Sequence, residues 1–245
     1  MRCAVDVNGD AYVRQRALKG FEASGQESLS RARVAIVGMG GLGCPAALYL
    51  TAAGVGELTL IDSDHVSVTN LHRQVLFGPA DVGRSKVEAA AEALARTAPT
   101  VTITPLHHRI GTDAAEVLAG HDLILDGTDT WASRFAIADA ATALGIPLVW
   151  GAVSGWFGQV TVFGEGTSLR DVFPEDSVDA FAACEGGVLG ALCGQVGTAM
   201  ASQALVQLVG AGTGLRGQLA ILDSRDGVWR TVPISAPARE QTAHA

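Results

Sequence analysis

The chain has 245 residues, of which 48% are hydrophobic and 17% are charged. A chain of this length and composition can bury a sizeable core, as one large α/β domain or two small ones, and disorder is not expected. Its formal net charge of -8 argues against a broad nucleic-acid surface, which needs clustered Lys and Arg, but does not exclude one local basic pocket.

The first residues, MRCAVDVNGDAYVRQ, lack the apolar core of a signal peptide, and no uninterrupted apolar run is long enough to span a bilayer. We therefore expect a cytoplasmic protein without a membrane segment. The four cysteines, Cys3, Cys44, Cys184 and Cys193, form no C-x-x-C pair. Neither a disulfide framework nor a cysteine zinc site is expected from this spacing.

The elements of the first half alternate between strands and helices. Residues 1–30 are polar and are expected to form an N-terminal helical segment, with a helix over about 12–20. The patterns after it predict strands at 34–37, 57–62, 101–106, 123–125 and 148–150, and helices at 45–53, 84–97 and 131–144. Strand, crossover helix and strand in this order imply parallel pairing, with helices on the faces of the sheet.

The pattern changes after residue 150. GQVTVFGEG alternates and contains glycine, which indicates an antiparallel strand and a turn. The remainder predicts a long loop over 167–183, a helix over 197–209 and a hairpin of strands at 218–223 and 228–232. We expect an α/β fold with a Rossmann-like, doubly wound, mostly parallel sheet continued by antiparallel strands. One domain should cover 31–235, in halves of about 31–150 and 151–235, followed by a flexible tail over 236–245.

A glycine-rich turn joins the first strand to the next helix. Gly38, Gly40 and Gly43 satisfy G-x-G-x-x-G, and small residues there let backbone amides approach a phosphate at a helix N-terminus. Asp62 ends the second strand, where a carboxylate can bind ribose hydroxyls. The pattern indicates a nucleotide site, for which NAD(P) or FAD is the usual ligand; a tight turn without any ligand is the alternative.

The segment after the second strand favours another ligand. DSDHVSVTNLHRQVLFGPADVGRSK carries Asn70, Arg73, Gln74 and Lys86. Hydride transfer has no evident need for two fixed cations here. A triphosphate attacked at its α-phosphate does, because Arg and Lys neutralise charge on the phosphoryl oxygens and on the leaving pyrophosphate. Either cation alone could be a solvated surface charge, but the set in this order indicates a nucleoside triphosphate.

Four stretches, GMGGLG, LIDSDHVSVTNLHRQ, DVGRSK and DGTDTWASR, resemble the bacterial adenylyltransferases that activate ubiquitin-like sulfur carriers. These are the molybdopterin-synthase and thiamine-biosynthesis adenylyltransferases, relatives of the ubiquitin-activating enzymes. The resemblance extends from about residue 12 to about residue 223. It implies an enzyme that uses ATP and Mg²⁺ to convert the C-terminal glycine carboxylate of a carrier ending in Gly-Gly into an acyl-adenylate, with release of pyrophosphate.

The resemblance also implies roles for individual residues. Its ATP-binding set is Gly38, Gly40, Gly41, Gly43, Asp62, Asp64, Asn70, Arg73, Gln74, Lys86, Asp129 and Thr130. Asp129 matches the acidic residue associated with Mg²⁺ and catalysis, and Thr130 departs from the Asn that the family usually has next. The implied catalytic residues are Arg14, Arg73, Lys86, Asp129 and Cys184.

Two arginines each have a second interpretation, as ordinary surface charges. The resemblance implies that Arg14 reaches across a homodimer interface into the ATP site of the partner, but it could be a surface charge on the first helix. Arg134 matches the family pattern and could equally be an ordinary helix-surface charge. A carboxylate nucleophile is already ionised at neutral pH and needs no base. The following histidines are therefore expected to be ordinary polar residues: His72, His107, His108 and His121.

Cys184 lies in ACEGGVLGALCG, where family members carry a cysteine implicated in some cases in thioester or persulfide chemistry. A structural cysteine, or a loop thiol dispensable for adenylation, is the alternative. Cys44 is expected to pack at a helix start and Cys193 to be buried. Many relatives hold zinc with two C-x-x-C pairs. Here Ser168 and Asp171 stand at the first pair and the C-terminal segment has no cysteine, so we predict no zinc ligands.

Three other functions stay open at this point. The same fold could adenylate a ribosomal peptide or a tRNA-base carboxylate. The glycine turn and Asp62 also allow an NAD(P)-dependent oxidoreductase, and a non-catalytic scaffold could retain only the carrier groove. The half over 151–235 is the expected docking side for the carrier, with Phe157, Phe163 and Phe173 either exposed there or part of the core.

Overall fold

The structure is a computed structural model that describes residues 11–164, 166–178 and 186–234. The strands in these ranges are β1 (Arg33–Val37), β2 (Glu57–Asp62), β3 (Thr102–His107), β4 (Leu123–Asp126), β5 (Leu148–Ser154), β6 (Phe157–Phe163), β7 (Gln218–Asp223) and β8 (Val228–Pro233). The helices are α1 (Val13–Arg16), α2 (Glu22–Arg31), α3 (Gly43–Ala53), α4 (Lys86–Ala95), α5 (Ala114–Leu118), α6 (Trp131–Leu144), α7 (Leu169–Val172) and α8 (Gly190–Val209). Within these ranges no helix has both the length and the apolar character of a membrane span.

The strands of the described part form one sheet in the order β3-β2-β1-β4-β5-β6-β7-β8. The first five in this order pair in parallel, and β5 through β8 pair antiparallel. This arrangement confirms the predicted α/β fold. β1 lies between β2 and β4, so the chain winds outward from β1 in both directions. Such a reversal of strand order leaves a crevice at the carboxyl ends of the central strands.

Helices cover both faces of the parallel part, which explains why its central strands are continuous apolar runs. Alternate residues of β1 face opposite cores, as the period of a strand requires. Val34 and Ile36 pack in a core with α2, α3, α4 and α8. Ala35 and Val37 pack in a second core with α5, α6 and α7.

The antiparallel part is covered by α8 on one face. At Gly151 and Gly158 an added Cβ would overlap Met200 and Val196 of that helix. These two glycines therefore let α8 lie directly against β5 and β6. At the far edge of the sheet, every residue of β8 is exposed.

The N-terminal helices are held to the body of the protein by side-chain amides. Gln15 Nε2 and Gln26 Nε2 donate to the carbonyl oxygen of Ala53, at 2.9 and 3.0 Å, where α3 ends. Gln15 also donates to Gln26 Oε1 at 2.9 Å.

The domain boundaries inferred from the sequence stay predictions.

Several predicted bounds need correction. α1 and α4 are shorter than the helices expected over 12–20 and 84–97, and α5 was not expected. α2 falls almost entirely within the predicted N-terminal helical segment but beyond the helix expected over 12–20; its sequence EASGQESLSR buries just Gly25 and Leu29. α8 begins at Gly190, before the predicted 197; its first turns contain Gly190 and Gly194, which are weak helix formers. The loop predicted over 167–183 contains α7 and a 3₁₀ turn, Glu175–Ser177; its last residues lie outside the described ranges.

Candidate functional site

A cleft of about 650 Å³ opens at the carboxyl ends of the central parallel strands. β1 pairs with β2 on one side and with β4 on the other, so the loops that follow these strands diverge and leave room between them. Most of the residues expected to bind a nucleotide line this cleft: Gly38, Gly40, Gly41, Asp62, Asp64, Asn70, Arg73, Gln74, Lys86, Asp129 and Thr130. The structure thus brings together side chains that are up to about ninety positions apart in the sequence.

The turn after β1 is shaped by the absence of side chains. Gly38 has a φ of +91°, and a Cβ there would lie 2.9 Å from the backbone of Gly127. At Gly43 a Cβ would overlap the carbonyl oxygen of Gly38, so Gly43 permits the turn and does not line the cleft. At Gly40 the nearest atom to an added Cβ is Gln74 Nε2 at 3.9 Å. The chain is therefore packed tightly beneath the turn and open on its cleft side.

The helix after this turn adds a favourable field for an anion. α3 runs for 11 residues from Gly43, and the Cys44 N–H donates to the carbonyl of Gly40. The first amides of a helix have no intrahelical acceptor and carry its partial positive charge. A phosphate group in the cleft would meet that end of α3.

Two carboxylates and a lysine form a charged group at the end of β2. Asp62 accepts from Met39 N at 2.7 Å and from Asp64 N at 2.8 Å, so it fixes both the glycine turn and its own segment. The buried Lys86 donates through Nζ to Asp64 Oδ2 at 2.8 Å and lies 3.9 Å from Asp62 Oδ2. This lysine holds the pKa of Asp64 below its ordinary value.

The segment after β2 supplies a second cation, Arg73, and the amide side chain of Gln74. Arg73 Nη2 donates to Asn70 Oδ1 at 2.9 Å, and Nη1 donates to the Thr69 carbonyl at 3.3 Å, which orients the guanidinium along the cleft wall. Gln74 is buried, and its Oε1 has no hydrogen-bond partner among the residues that the structure describes. A buried acceptor in a cleft is costly unless a ligand donor reaches it.

The loop after β4 carries Asp129 into the cleft, where it is exposed. Thr130 begins α6 as its N-cap: its Oγ1 accepts from Ser133 N at 3.3 Å and donates to Ser133 Oγ at 3.0 Å. A Thr side chain therefore serves as helix cap at the position where the family usually has Asn.

Arg134 is buried and is not a helix-surface charge, which corrects that alternative. Its Nε and Nη2 donate to the carbonyl of Thr128 at 3.1 and 3.0 Å. The guanidinium lies against the rings of Trp131 and Trp150, at 4.9 and 5.6 Å from their centroids. Aromatic neighbours of this kind stabilise a buried cation.

Sequence reasoning missed several lining residues, which are His72, His108, Arg109, Ser133 and Cys193. His108 Nε2 lies 2.7 Å from Asp113 Oδ2, while Arg109 is exposed and adds a further cation to the cleft beside Arg73, Lys86 and Arg134. The sequence could have placed His108 and Arg109 in the cleft, because residues that directly follow β3 lie at the same edge of a parallel sheet as the ends of β1 and β2. His72 and His108, which were expected to be ordinary polar residues, therefore lie in the cleft wall.

Arg14 and Cys184 are the other two expected catalytic residues. Arg14 is exposed on α1 and does not line the cleft of its own chain, and Cys184 lies outside the described residues. Cys44 and Cys193 are buried, as predicted; burial raises the pKa of the Cys44 thiol to about 12 and also raises that of Cys193. Such thiols are poor nucleophiles at neutral pH.

Ser168 and Asp171, which stand where many relatives have the first cysteine pair, form a helix cap. Ser168 N and Oγ donate to Asp171 Oδ2 at 2.7 and 2.9 Å, so these two residues cap α7. In the part of the chain that the structure describes, no three His, Cys, Asp or Glu side chains converge as a metal site would need. Because residues near this region lie outside that part, zinc absence stays a prediction.

The doubly wound sheet, the glycine turn at the start of α3 and the cation-lined cleft define a nucleotide-binding α/β protein. Residues 12–243 match the family model described as "ThiF family". The chain belongs to the ThiF family.

Known relatives agree with this membership. The chain is 40% identical over 235 residues to the "Sulfur carrier protein adenylyltransferase" of Thermus thermophilus, covering 92% of this chain and 87% of the relative. It is 38% identical over 232 residues to the "Probable adenylyltransferase/sulfurtransferase MoeZ" of Mycobacterium tuberculosis, covering 91% of this chain but 59% of that longer protein. The fold is similar to a crystal structure of Escherichia coli MccB with ATP, with a TM-score of 0.81 at 18% identity, covering 96% of this chain and 74% of MccB.

Proposed function

We propose that this chain is an ATP-dependent adenylyltransferase that activates the C-terminal glycine carboxylate of a small ubiquitin-like sulfur carrier. The observation that carries the proposal is that the glycine turn, Arg73, Lys86 and Asp129 line one cleft. The name of the Thermus thermophilus relative, which is matched over most of both chains, supports the sulfur carrier as the substrate class.

In this reaction a carboxylate oxygen of the carrier attacks the α-phosphorus of ATP. The new bond joins that oxygen to phosphorus, the bond to the oxygen bridging the α- and β-phosphates breaks, and pyrophosphate leaves with the electron pair. The carboxylate is ionised at neutral pH, so no proton needs to be removed. The enzyme aligns the reactants and stabilises charge that develops on the phosphoryl oxygens and on pyrophosphate. Arg73 and Lys86 are the cations that would do so.

The residues of the cleft fit ATP and Mg²⁺. Gly40 leaves its cleft side open, Gln74 Oε1 offers a buried acceptor to a ribose or base donor, and α3 directs its amides to a phosphate. Asp129 is an exposed carboxylate beside this space. Mg²⁺ is commonly held by one or two carboxylates together with substrate phosphates, and when bound it would neutralise phosphate charge. Asp129 would hold it.

A homodimer is part of the proposal. Arg14 on α1 would then supply a cation to the cleft of the second copy, since it does not line its own. The exposed apolar side chains of Val13, Leu18 and Tyr49 on and beside the N-terminal helices support an interface there. On the carrier side, Phe157 is exposed while Phe163 is core, so the first is a candidate contact and the second is not. The cytoplasmic location stays a prediction.

ATP–pyrophosphate exchange tests the proposal. Purified protein would be assayed with a panel of ubiquitin-fold proteins ending in Gly-Gly, with peptides, and without an acceptor. We expect Mg²⁺-dependent exchange that requires a Gly-Gly carrier and is lost on changing Asp129→Ala. Exchange with peptides alone would change the substrate class from a sulfur carrier to a peptide. Full exchange by Asp129→Ala would show that Asp129 is not catalytic. Tight NAD binding without any exchange would favour an oxidoreductase, and carrier binding without exchange a scaffold.

A further inference from the structure

We infer that Asp126 and Arg134 are positioning residues for adenylation, which hold Asp129 in place by fixing the peptide groups on both sides of Thr128. The inference rests on the proposed function, because it concerns the residue assigned there to Mg²⁺ and catalysis. Neither Asp126 nor the buried role of Arg134 was anticipated from the sequence. Asp126 does not line the cleft, whereas the buried Arg134 also lines it, and both act on the backbone that leads directly into Asp129.

The first half of the clamp comes from β4. Asp126 ends that strand and is fully buried. Its Oδ1 accepts from Thr128 N at 2.9 Å and from Thr128 Oγ1 at 2.7 Å, which folds the chain tightly back over the strand end. Its Oδ2 has no hydrogen-bond partner among the described residues. Burying a carboxyl group in this way is costly, and burial raises the pKa of Asp126 while the charge of Arg134 opposes the rise.

The second half of the clamp comes from α6. Arg134 donates twice to the Thr128 carbonyl, the group that forms the peptide bond to Asp129. The guanidinium lies against Trp131 and Trp150, so it can shift little. Thr128 thus has its amide, its hydroxyl and its carbonyl all engaged, and Asp129 follows with Thr130 capping α6 on its other side.

The same loop also adjoins the glycine turn. Gly127 N donates to the Val37 carbonyl at 2.9 Å, and the backbone of Gly127 lies against Gly38. The clamp therefore fixes Asp129 relative to the place where a phosphate would sit. A displacement of about 1 Å of a catalytic group can cost about a hundredfold in rate, which is why such supporting contacts matter.

Two substitutions remove parts of the clamp and leave Asp129 unchanged. Arg134→Lys keeps the charge but loses the two hydrogen bonds that converge on the Thr128 carbonyl and the contact of the guanidinium with the two indole rings. Thr128→Val removes only the hydroxyl. With the most active Gly-Gly carrier of the panel, we expect kcat for exchange to fall about 10- to 30-fold in Arg134→Lys and about 3- to 10-fold in Thr128→Val. In both variants the KM for ATP should stay within about threefold of the wild-type value. Thr128→Ser should restore most of the activity that Thr128→Val loses.

Arg170→Lys is the matched control for loss of an arginine. Arg170 also lies against an aromatic ring, that of Phe135 at 4.4 Å, and its guanidinium donates to Asp139 and Glu175 rather than to the loop after β4. Its substitution should lower the melting temperature without changing kcat. A clamp that served folding alone would behave like this control.

A double-mutant cycle separates positioning from other roles. If the clamp acts through Asp129, adding Arg134→Lys or Thr128→Val to Asp129→Ala should cause less than about a twofold further loss. Losses that multiply would overturn the inference, as would a raised KM for ATP with unchanged kcat, which would mean direct contact of Arg134 with the nucleotide. If both single variants kept the wild-type kcat while Asp129→Ala was inactive, this inference would be overturned and the proposed function would stand. Full activity of Asp129→Ala, or no exchange with any carrier, would overturn the proposed function and the inference with it.

Discussion

Two neighbouring loops line the cleft, and different physical means shape them. The glycine turn over 38–43 takes its form because side chains are missing: a Cβ at Gly38 or Gly43 would collide with neighbouring backbone. The loop over 127–130 takes its form because buried side chains, those of Asp126 and Arg134, hold its peptide groups. The first loop is specified by local sterics and the second by contacts between separate elements.

The difference predicts how each loop fails. An added side chain in the glycine turn should damage folding when it points into the protein and ligand binding when it points into the cleft. Loss of a side chain near the second loop should leave the fold largely intact and misplace Asp129. The predictions below either break this distinction or sharpen it.

The largest effect is expected for Gly43→Ala. Its methyl group would overlap the Gly38 carbonyl, and the strand–turn–helix unit cannot relax without moving α3. We expect a loss of at least about 3 kcal/mol in the free energy of unfolding, measured by urea denaturation, and no detectable ATP binding. Gly40→Ala is the control. Its methyl group points to open space, so unfolding should change by less than about 1 kcal/mol while ATP binding weakens. Equal destabilisation by both would contradict the distinction.

The next largest effect is expected for Lys86→Ala. Removal of a buried cation from the triphosphate site should lower kcat/KM for exchange about 10²- to 10³-fold, since one charge-stabilising donor contributes about 3 to 4 kcal/mol to the transition state. Arg84→Ala removes a nearby cation that pairs with Asp81 and does not line the cleft, so exchange should stay within about twofold. A similar loss in both variants would indicate a general charge effect.

A smaller effect is expected for Thr130→Ala, which removes the N-cap of α6. The melting temperature should fall by an amount equivalent to about 1 kcal/mol, because Ser133 N loses its acceptor. Thr130→Asn places the usual family residue there and keeps a capping oxygen. If the Asn variant were as unstable as the Ala variant, the cap would not be what Thr130 contributes.

The smallest effect concerns the pH dependence of the Asp64–Lys86 pair. The pKa of Asp64 is depressed in the folded state, so its contribution to stability is complete above the unfolded value of about 3.9 and is lost as the pH falls through the lower folded value. Asp64 is more than half exposed, which limits the contribution to about 0.5 kcal/mol. The difference in unfolding free energy between wild type and Asp64→Asn should therefore be measurable near pH 6 and shrink below about pH 4. A difference that grew on acidification would have the wrong sign.

The sequence predicted most of what local pattern controls. Apolar runs predicted the parallel strands, and glycine spacing with Asp62 predicted the turn, because both depend on neighbours along the chain. Asn70, Arg73, Gln74 and Lys86 were singled out as a set that suits a triphosphate, and the family resemblance then implied their roles. Those four residues alone did not show which other side chains would line the cleft beside them.

Long-range packing explains what the sequence did not reveal. Arg134 is three and seven positions before the buried Ile137 and Ala141, so it lies on the buried face of α6, where Trp150 from β5 and the Thr128 carbonyl accommodate its charge. Its residue type alone did not identify these partners. Asp126 directly follows the strand predicted at 123–125, and nothing in the sequence indicated its contacts with Thr128. α2 has little apolar periodicity and is held partly by Gln26, whose amide reaches the end of α3. Such elements depend on partners that a single sequence does not identify.

Intact-mass spectrometry of the carrier tests the central claim most directly. A small ubiquitin-fold protein ending in Gly-Gly would be incubated with ATP, Mg²⁺ and the wild-type chain, then with the Asp129→Ala and Lys86→Ala variants. The account predicts that the wild type adds the mass of one AMP group to the carrier C-terminus, and that both variants add far less. A carrier of unchanged mass in the presence of wild-type protein that binds NAD tightly, or equal adduct formation by all three proteins, would contradict it.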